Sequence, residues 1–394
     1  MSQPIGFVDP LLPNHVCLLK KSIYGLKQSP RQWFAKFSNH LIQFGFQSSS
    51  ADPSLLFYKH DSKILYILIY VDDILLMGND EFFIQHLLRD LQQHFRLKNL
   101  GNINHFLGIT VQSTENGLTL NQAAYASTII SRAGMETCKL LTTPMALKPV
   151  SASNSEQPFH NSDLYKHLVG SLQYLTVTRP DISYTVNKLC QFMHKPLNGH
   201  FSLLKRLLRY LKGTLAFGLV IQPTKLQLSA FSDSDWAGDP IDRKSTTGYC
   251  AFLGHNLISW QVKKQHTVAR SSIEAEYRSL ATAAADVLWL RRLLQEFDIH
   301  VNKPTTIFCD NISAISLANN PVFHARTKHI EIDYHFIRDC VKSESVTIQH
   351  VNTVDQVADN FTKPLSTKRF TDIRHKLTLM ETSVSLKGGD KQTI

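Results

Sequence analysis

The 394-residue chain has six cysteines, Cys17, Cys138, Cys190, Cys250, Cys309 and Cys340, but no CxxC pair among them. That excludes the usual zinc-finger and dithiol redox motifs. Scattered single thiols fit a reducing compartment. The chain also lacks an apolar run of the ~20 residues that a membrane span needs. Its most apolar stretch, Ile64 to Met77, is interrupted by Asp72 and Asp73. The opening MSQPIGFVDPLLPNH carries Pro and polar residues where a secretory signal would have its apolar core, so no signal is expected. There are no internal repeats. Charged residues make up only 19% of the chain and hydrophobic residues 43%, which favours globular packing over disorder.

What is present is an excess of positive charge, +10 at pH 7. That sign favours a polyanionic partner, and nucleic acid is the natural one. The length suggests two or three domains.

The first segment reads as α+β. Ser29-Pro30 starts a helix to Phe44, with Trp33, Phe34, Phe37, Leu41 and Phe44 on one face. Leu55–Lys59 and Ile64–Tyr70 read as an antiparallel strand pair, and Ile74–Met77 as a third strand after a tight turn. Asn79-Asp80 caps a helix bearing Phe83, Leu87, Leu91 and Phe95. Phe106–Val111 and Leu118–Asn121 flank Asn116-Gly117, a hairpin signal. A helix from Ala123 to Arg132 follows.

Thr142 to Asn161 contains three prolines and no apolar period, and reads as a linker. Helical patterns follow at Leu164–Val177, Ile182–Met193 and Leu203–Lys212. After Leu226 the order becomes βββαβααβα, a mixed sheet with helices packed on it. Its strands are expected at Leu228–Ser232, Gly248–Leu253, Leu257–Trp260, Thr306–Cys309 and Val346–Val351. Its helices are expected at Ser272–Phe297, Ile312–Ala318, Ile330–Lys342 and near Val357.

Four acids take telling places in this last pattern. Asp233 ends the first strand, Glu276 lies in the first turns of the long helix, Asp310 follows a strand, and Asp359 begins the closing helix. Strand ends and helix starts on one sheet rim converge. Carboxylates gathered there need a counter-charge. Mg²⁺, a hard ion that prefers oxygen ligands, supplies it, and two such ions ~3.5–4 Å apart can clamp a phosphodiester. Taken singly, each acid has a plain structural explanation as a cap, a helix-start acid or a solvated residue. Asp235 shares strand parity with Asp233 and competes for the first position; Glu274 likewise competes with Glu276.

Earlier in the chain, Tyr70-Val71-Asp72-Asp73 sits between the apolar runs ILYILI and ILLM. Exposed hairpin turns favour Asp anyway. Paired aspartates at such a tip repel unless they hold metal.

The strings SDSDWAGDPIDRKSTTGYCAFLG, ISWQVKKQHTVARSSIEAEYRSLA, IFCDNISAISLANNPVFHARTKHIEIDYHFIRD and VDQVADNFTKPL resemble the RNase H domain of Ty1/copia-type retrotransposon polyproteins. YVDD resembles the reverse transcriptase active-site turn of the same family, and KKSIYGLKQSPRQWF its block behind the templating base and incoming nucleotide. FLGITVQSTENGLTLNQAAYASTII resembles its primer-gripping region, and YKHLVGSLQYLTVTRPDISYTVNKLCQFMHKP its connecting helices. The likeness covers nearly the whole chain.

The resemblance implies a mixed α+β and α/β protein with the following organisation. Residues 1–141 are a partial reverse transcriptase palm and thumb, 142–161 a linker, 162–225 a helical connection, 226–367 an RNase H-like domain and 368–394 a C-terminal tail. It implies catalytic and metal-binding roles for Asp233, Glu276, Asp310 and Asp359, and for Asp72 and Asp73. It implies Mg²⁺ or Mn²⁺ as cofactor, two per nuclease site. Gly25, Lys27, Gln28, Ser29, Pro30 and Tyr70 would line the nucleotide and template site. Partners would be RNA–DNA hybrid and primer-template nucleic acid, with remaining Pol segments acting in trans and no membrane.

Lys263, Lys264 and Arg270 follow the third strand and are candidate hybrid-phosphate contacts; Arg326, Lys328 and His329 lie near Asp310 in sequence. Cellular relatives carry a His-bearing loop before the last Asp. Here only Asn352-Thr353-Val354 fills that place, and His350 is expected to point from a strand. The palm of this family needs a third Asp on a strand upstream of KSIYGLKQ. Of the residues before Ser22, only Asp9 is acidic, within FVDPLLP. The expected activity is therefore hybrid RNA hydrolysis with a silent polymerase remnant. The alternative is an inactive transposon relic that only binds nucleic acid. The resemblance places a complete element's Pol in cytoplasmic virus-like particles, with the nucleus as a second compartment.

Overall fold

The computed structural model describes residues 1–21, 23, 25–148, 155–319 and 331–382. Part of the expected linker, the candidate contacts Arg326, Lys328 and His329, and residues 383–394 of the expected tail lie outside the described residues. The chain divides into two compact units, residues 1–103 and 104–394.

In the first unit, α1 (Ser29–Phe44) and α2 (Glu81–His94) pack on an antiparallel sheet. The sheet consists of β1 (Gln47–Ser48), β2 (Leu55–His60), β3 (Lys63–Tyr70) and β4 (Asp73–Gly78), in sequence order. Pro30 starts α1, and Gly45 ends it in the left-handed conformation at φ 107°. The Asp80 carboxylate caps α2 by accepting from the Phe83 amide at 2.9 Å. Both helices turn an apolar stripe to the sheet. Phe37, Leu41, Leu87 and Leu91 meet Leu56, Leu65 and Ile67 in one core. Each such side chain contributes roughly 1.5–3 kcal/mol on burial.

The second unit holds two five-stranded sheets. The first joins β5 (His105–Phe106), β6 (Ile109–Thr114), β7 (Gly117–Asn121), β8 (Phe217–Ile221) and β14 (Leu379–Glu381), with all pairs antiparallel and the order β14-β8-β7-β6-β5. The expected hairpin forms, with Glu115-Asn116 in the turn and Gly117 opening β7 opposite Thr114. Gly117 is required there: its φ is 147°, and a Cβ would stand 2.1 Å from the Ile221 carbonyl oxygen of β8. The helices α3 (Ala123–Arg132), α4 (Ser162–Leu175), α5 (Ser183–Cys190) and α6 (Asn198–Lys212) share one core, built on Leu168, Leu172, Leu204 and Leu208.

The other sheet has the order β11-β10-β9-β12-β13, from β9 (Leu228–Asp235), β10 (Thr246–Leu253), β11 (Asn256–Lys264), β12 (Thr305–Cys309) and β13 (Val346–His350). The first three are antiparallel, and β12 runs parallel to both β9 and β13. The helices α7 (Ser272–Glu296), α8 (Ile312–Asn319) and α9 (Glu331–Lys342) bury one face around Tyr277, Leu280, Val287, Ile307 and Ile348. Against the other face lie a 3-10 helix at Val357–Phe361 and α10 (Thr367–Lys376).

Four sequence expectations change. Strand β9 runs on to Asp235, so Asp233 lies inside a strand rather than at its end. Asp359 lies in a 3-10 helix, not at the start of an α-helix. Residues 368–382 are no loose tail, since α10 and β14 lie there and Leu379 pairs with Leu219 of β8. The boundary between units falls at 103/104 rather than in the proline-bearing segment. Strand β7 pairs with β8 across that segment, Leu118 opposite Ile221, and such distant pairing leaves no local sequence signal.

Candidate active site

Strand β9 points Asp233 to the face opposite the long helix's core, and Asp310 follows β12 at the next strand's end. The parallel alignment of β9 and β12 brings their carboxylates to the same sheet edge. Oxygens of Asp233, Asp310 and Asp359 lie within 4.8 Å of one another. Donor atoms of Glu276, Cys309 and Asp310 form a second such group, so Asp310 belongs to both. Asp233, Glu276 and Asp359 are buried, while Asp310 is partly exposed. All four sequence-selected acids therefore meet.

Burial first, and then the neighbouring Asp233 and Asp310 charges, push Glu276 up to about 9. Burial and Asp233 likewise raise Asp359. Three further residues answer this accumulated negative charge. Lys363 Nζ stands 2.7 Å from Asp359 Oδ1 and 3.3 Å from Asp233 Oδ2. Arg369 Nη2 stands 2.6 Å from Asp359 Oδ2. The Thr362 hydroxyl donates to Asp233. Opposite them, the Thr353 hydroxyl lies 3.4 Å from Asp310 Oδ2. Sequence reasoning did not single out Lys363, Arg369 or Thr362, and named Thr353 only as part of the segment before Asp359. Lys363 and Thr362 stood in the quoted VDQVADNFTKPL string, but only folding reveals that they face Asp233.

The two competitors separate. Glu274 is tied to its own helix start: it receives Arg278 Nη2 at 2.6 Å and the Arg270 amide at 2.9 Å. Asp235 accepts from the Thr246 amide across the strand pair and belongs to neither acid group. Burial pushes Asp235 up to about 6.

The donors suit a hard divalent ion. Four carboxylates supply only oxygen. Asp359 Oδ1 is buried and accepts no directed hydrogen bond, although Lys363 carries its charge nearby. Cys309 lies in the Glu276–Asp310 group, and burial and the Glu276 charge raise its thiol.

Around this site, Lys263 and Arg270 are exposed, as a phosphate contact would need. Lys264 differs from expectation: its ammonium is already paired with Asp239 at 2.8 Å and Asp242 at 2.9 Å. His350 closes β13 and is exposed.

In the first unit, Tyr70 and Asp73 pair at the turn end of the β3–β4 hairpin, with Val71 at φ 50° in the turn. Tyr70, Asp72 and Asp73 are exposed. Trp33 Nε1 donates to the Val71 carbonyl at 2.7 Å, tying α1 to this turn. Gly25, Lys27, Gln28 and Pro30 are exposed just before and at the start of α1, and the Ser29 hydroxyl donates to the Ile23 carbonyl at 2.7 Å. Among the described residues, Asp72 and Asp73 join no group of three metal-ligating side chains. No described helix is long and apolar enough to cross a membrane.

The chain thus joins a paired-Asp hairpin in a helix-backed sheet to a mixed five-stranded sheet bearing an acid cluster. Residues 1–147 match the family described as reverse transcriptase (RNA-dependent DNA polymerase). The chain is 47% identical over 378 residues to the retrovirus-related Pol polyprotein from transposon RE1 of Arabidopsis thaliana, covering 96% of this chain and 26% of that protein. It is 31% identical over 294 residues to the putative transposon Ty5-1 protein of Saccharomyces cerevisiae, covering 73% of this chain and 94% of that one. Among solved structures, the N-terminal RNase H domain of rv2228c from Mycobacterium tuberculosis aligns with a TM-score of 0.28 and 11% identity, over 38% of this chain and 98% of that one. The chain belongs to the retrovirus-related Pol polyproteins of copia-like transposons, and spans about a quarter of the length of the first Pol relatives it matches.

Proposed function

We propose that the acid cluster hydrolyses the RNA strand of RNA–DNA hybrids with two divalent ions, Mg²⁺ or Mn²⁺. One observation carries this: Asp233, Asp310 and Asp359 converge, and Asp310 is shared with the Glu276 group. Two ions held by these residues would supply an activated water and stabilise charge on the phosphodiester. The chain's own residues do the rest. Ser279, buried, donates from its hydroxyl to the Asp233 carbonyl at 2.8 Å and fixes β9 against α7. Arg369 and Lys363 orient the Asp359 carboxylate, and exposed Lys263 and Arg270 offer charge to the hybrid backbone.

The test is cleavage of a labelled hybrid in Mg²⁺, comparing the wild type with Asp310→Asn. Loss of cleavage in the variant supports the site; equal rates exclude it. The same reading has the 394-residue chain by itself silent as a polymerase, because Asp72 and Asp73 lack a third carboxylate among the described residues.

A second reading is an inactive relic that binds nucleic acid only. The observation in its favour is that Asp233 and Asp359 already have cationic partners in Lys363 and Arg369. Hybrid binding without metal-dependent cleavage by the wild type would select it.

A further inference from the structure

Outside the acid cluster, the described residues contain one more group of three side chains able to share a metal: His40, Asp90 and His94, in the first unit. His40 comes from α1, and Asp90 and His94 from successive turns of α2. Spacing of i, i+4 places the last two on one helical face. His40 Nε2 lies 2.6 Å from Asp90 Oδ2, and His94 Nδ1 lies 3.5 Å from Asp90 Oδ1. The two imidazole rings stand 4.6 Å apart. One donor atom from each of the three residues lies within 4.8 Å of the other two.

A hydrogen-bonded His40–Asp90 pair alone would explain part of this. It does not account for a second imidazole 4.6 Å from the first. Neutral imidazoles beside a carboxylate are instead a ligand set for a borderline dication. His94 Nδ1 also lies 2.9 Å from the Asp90 backbone carbonyl; donating its proton there fixes the tautomer and leaves Nε2 as the ring's ligand nitrogen. His40 and Asp90 are mostly buried, at 20% and 25% side-chain exposure, while His94 is half exposed at 52%. The group is therefore held on its inner side and open on its outer side, so water can complete a fourth position.

We infer that His40, Asp90 and His94 form a transition-metal site, of the Zn²⁺ class, that staples α1 to α2. The staple's consequence lies at the other end of α1. That helix begins at Ser29-Pro30, and its Trp33 holds the Val71 carbonyl in the paired-Asp turn. Fixing α1 to α2 therefore fixes the support of that turn. The site is structural, because no substrate-facing residue is among its ligands, and it is independent of the hybrid-cleavage reading.

The experiment uses the full chain, stripped of metal by a chelator and then titrated with Zn²⁺ by calorimetry and with Co²⁺ by visible absorption. Mg²⁺ is kept in large excess to occupy the carboxylate cluster. The expected result is one Zn²⁺ equivalent bound, ligand-field bands with Co²⁺, and a raised melting temperature. His40→Gln and His94→Gln should each lose about tenfold or more in Zn²⁺ affinity. Asp90→Asn, which keeps shape and hydrogen bonding, should do the same with its circular dichroism spectrum unchanged. His86→Gln, an exposed histidine on α2, should bind like the wild type. Unchanged binding in all three ligand variants, an equal loss in His86→Gln, or no Zn²⁺ binding by the wild type would each overturn the site.

Discussion

Glu274 and Glu276 lie two residues apart on α7 and face different partners: Glu274 is bound by Arg278 at 2.6 Å, while Glu276 stands among Asp233, Cys309 and Asp310. Near neighbours on a helix point some 200° apart, so one acid can serve the helix and the other the cluster. Glu276→Gln should lower hybrid cleavage by on the order of 10²–10³-fold, the cost of removing one group that stabilises developing charge. Glu274→Gln should keep cleavage and cost about 1 kcal/mol of stability. Parallel rate and denaturant measurements separate the two; equal loss of activity would contradict the assignment.

Lys363 supplies positive charge to Asp233 and Asp359 together. In chelator, Lys363→Met should melt at a lower temperature than the wild type. Saturating Mg²⁺ should narrow that difference, because the added ion then neutralises the same oxygens. A gap that stays constant with and without Mg²⁺ would place Lys363 outside the metal-binding region.

The raised Glu276 sets a pH dependence. Its folded-state value of about 9 lies above the ordinary glutamate value of 4.5. Between the two, the unfolded chain releases the proton and the folded chain keeps it, so stability falls as pH rises through that window. Below it, both states are protonated and the cost vanishes. Melting of the chelated protein from pH 5 to about 9 should show this decline, and Glu276→Gln should flatten it. An unchanged slope in the variant would assign the decline to other groups.

Arg179 is fully enclosed with its partners. Its guanidinium donates to Asp181 Oδ1 at 3.0 Å and Oδ2 at 2.8 Å, and to the Thr214 carbonyl at 2.9 Å, while the Tyr210 hydroxyl donates to Asp181 at 2.5 Å. Asp181→Ala strands a buried cation and should cost ~3–5 kcal/mol. Replacing both ions, Arg179→Met with Asp181→Leu, should cost less than that single change. Chemical denaturation of the three variants decides the order.

Much of this was legible in the sequence. The helix at Ala123–Arg132 was read to the residue, because its apolar period is strong and local. The paired-Asp hairpin was readable because Asp72 and Asp73 interrupt an otherwise apolar run. The family emerged from long contiguous strings, and the likeness to the relatives runs over most of the chain. Less visible was whatever depended on partners far along the chain. The β8 strand, with only Phe217–Ile221 to mark it, has no alternation long enough to read.

The sequence by itself determined which acids were available and, for Asp233, Glu276 and Asp310, on which kind of element each sits, because local periodicity and turn chemistry are properties of neighbouring residues. Only the tertiary structure set Glu276 beside the other acids and Glu274 against Arg278, and placed Lys363 and Arg369 against Asp359. Only it paired β8 with β7 and β14, and set His40 beside Asp90. Those outcomes depend on strand register and helix packing between distant segments, where a shift of one residue would turn each side chain to the other face.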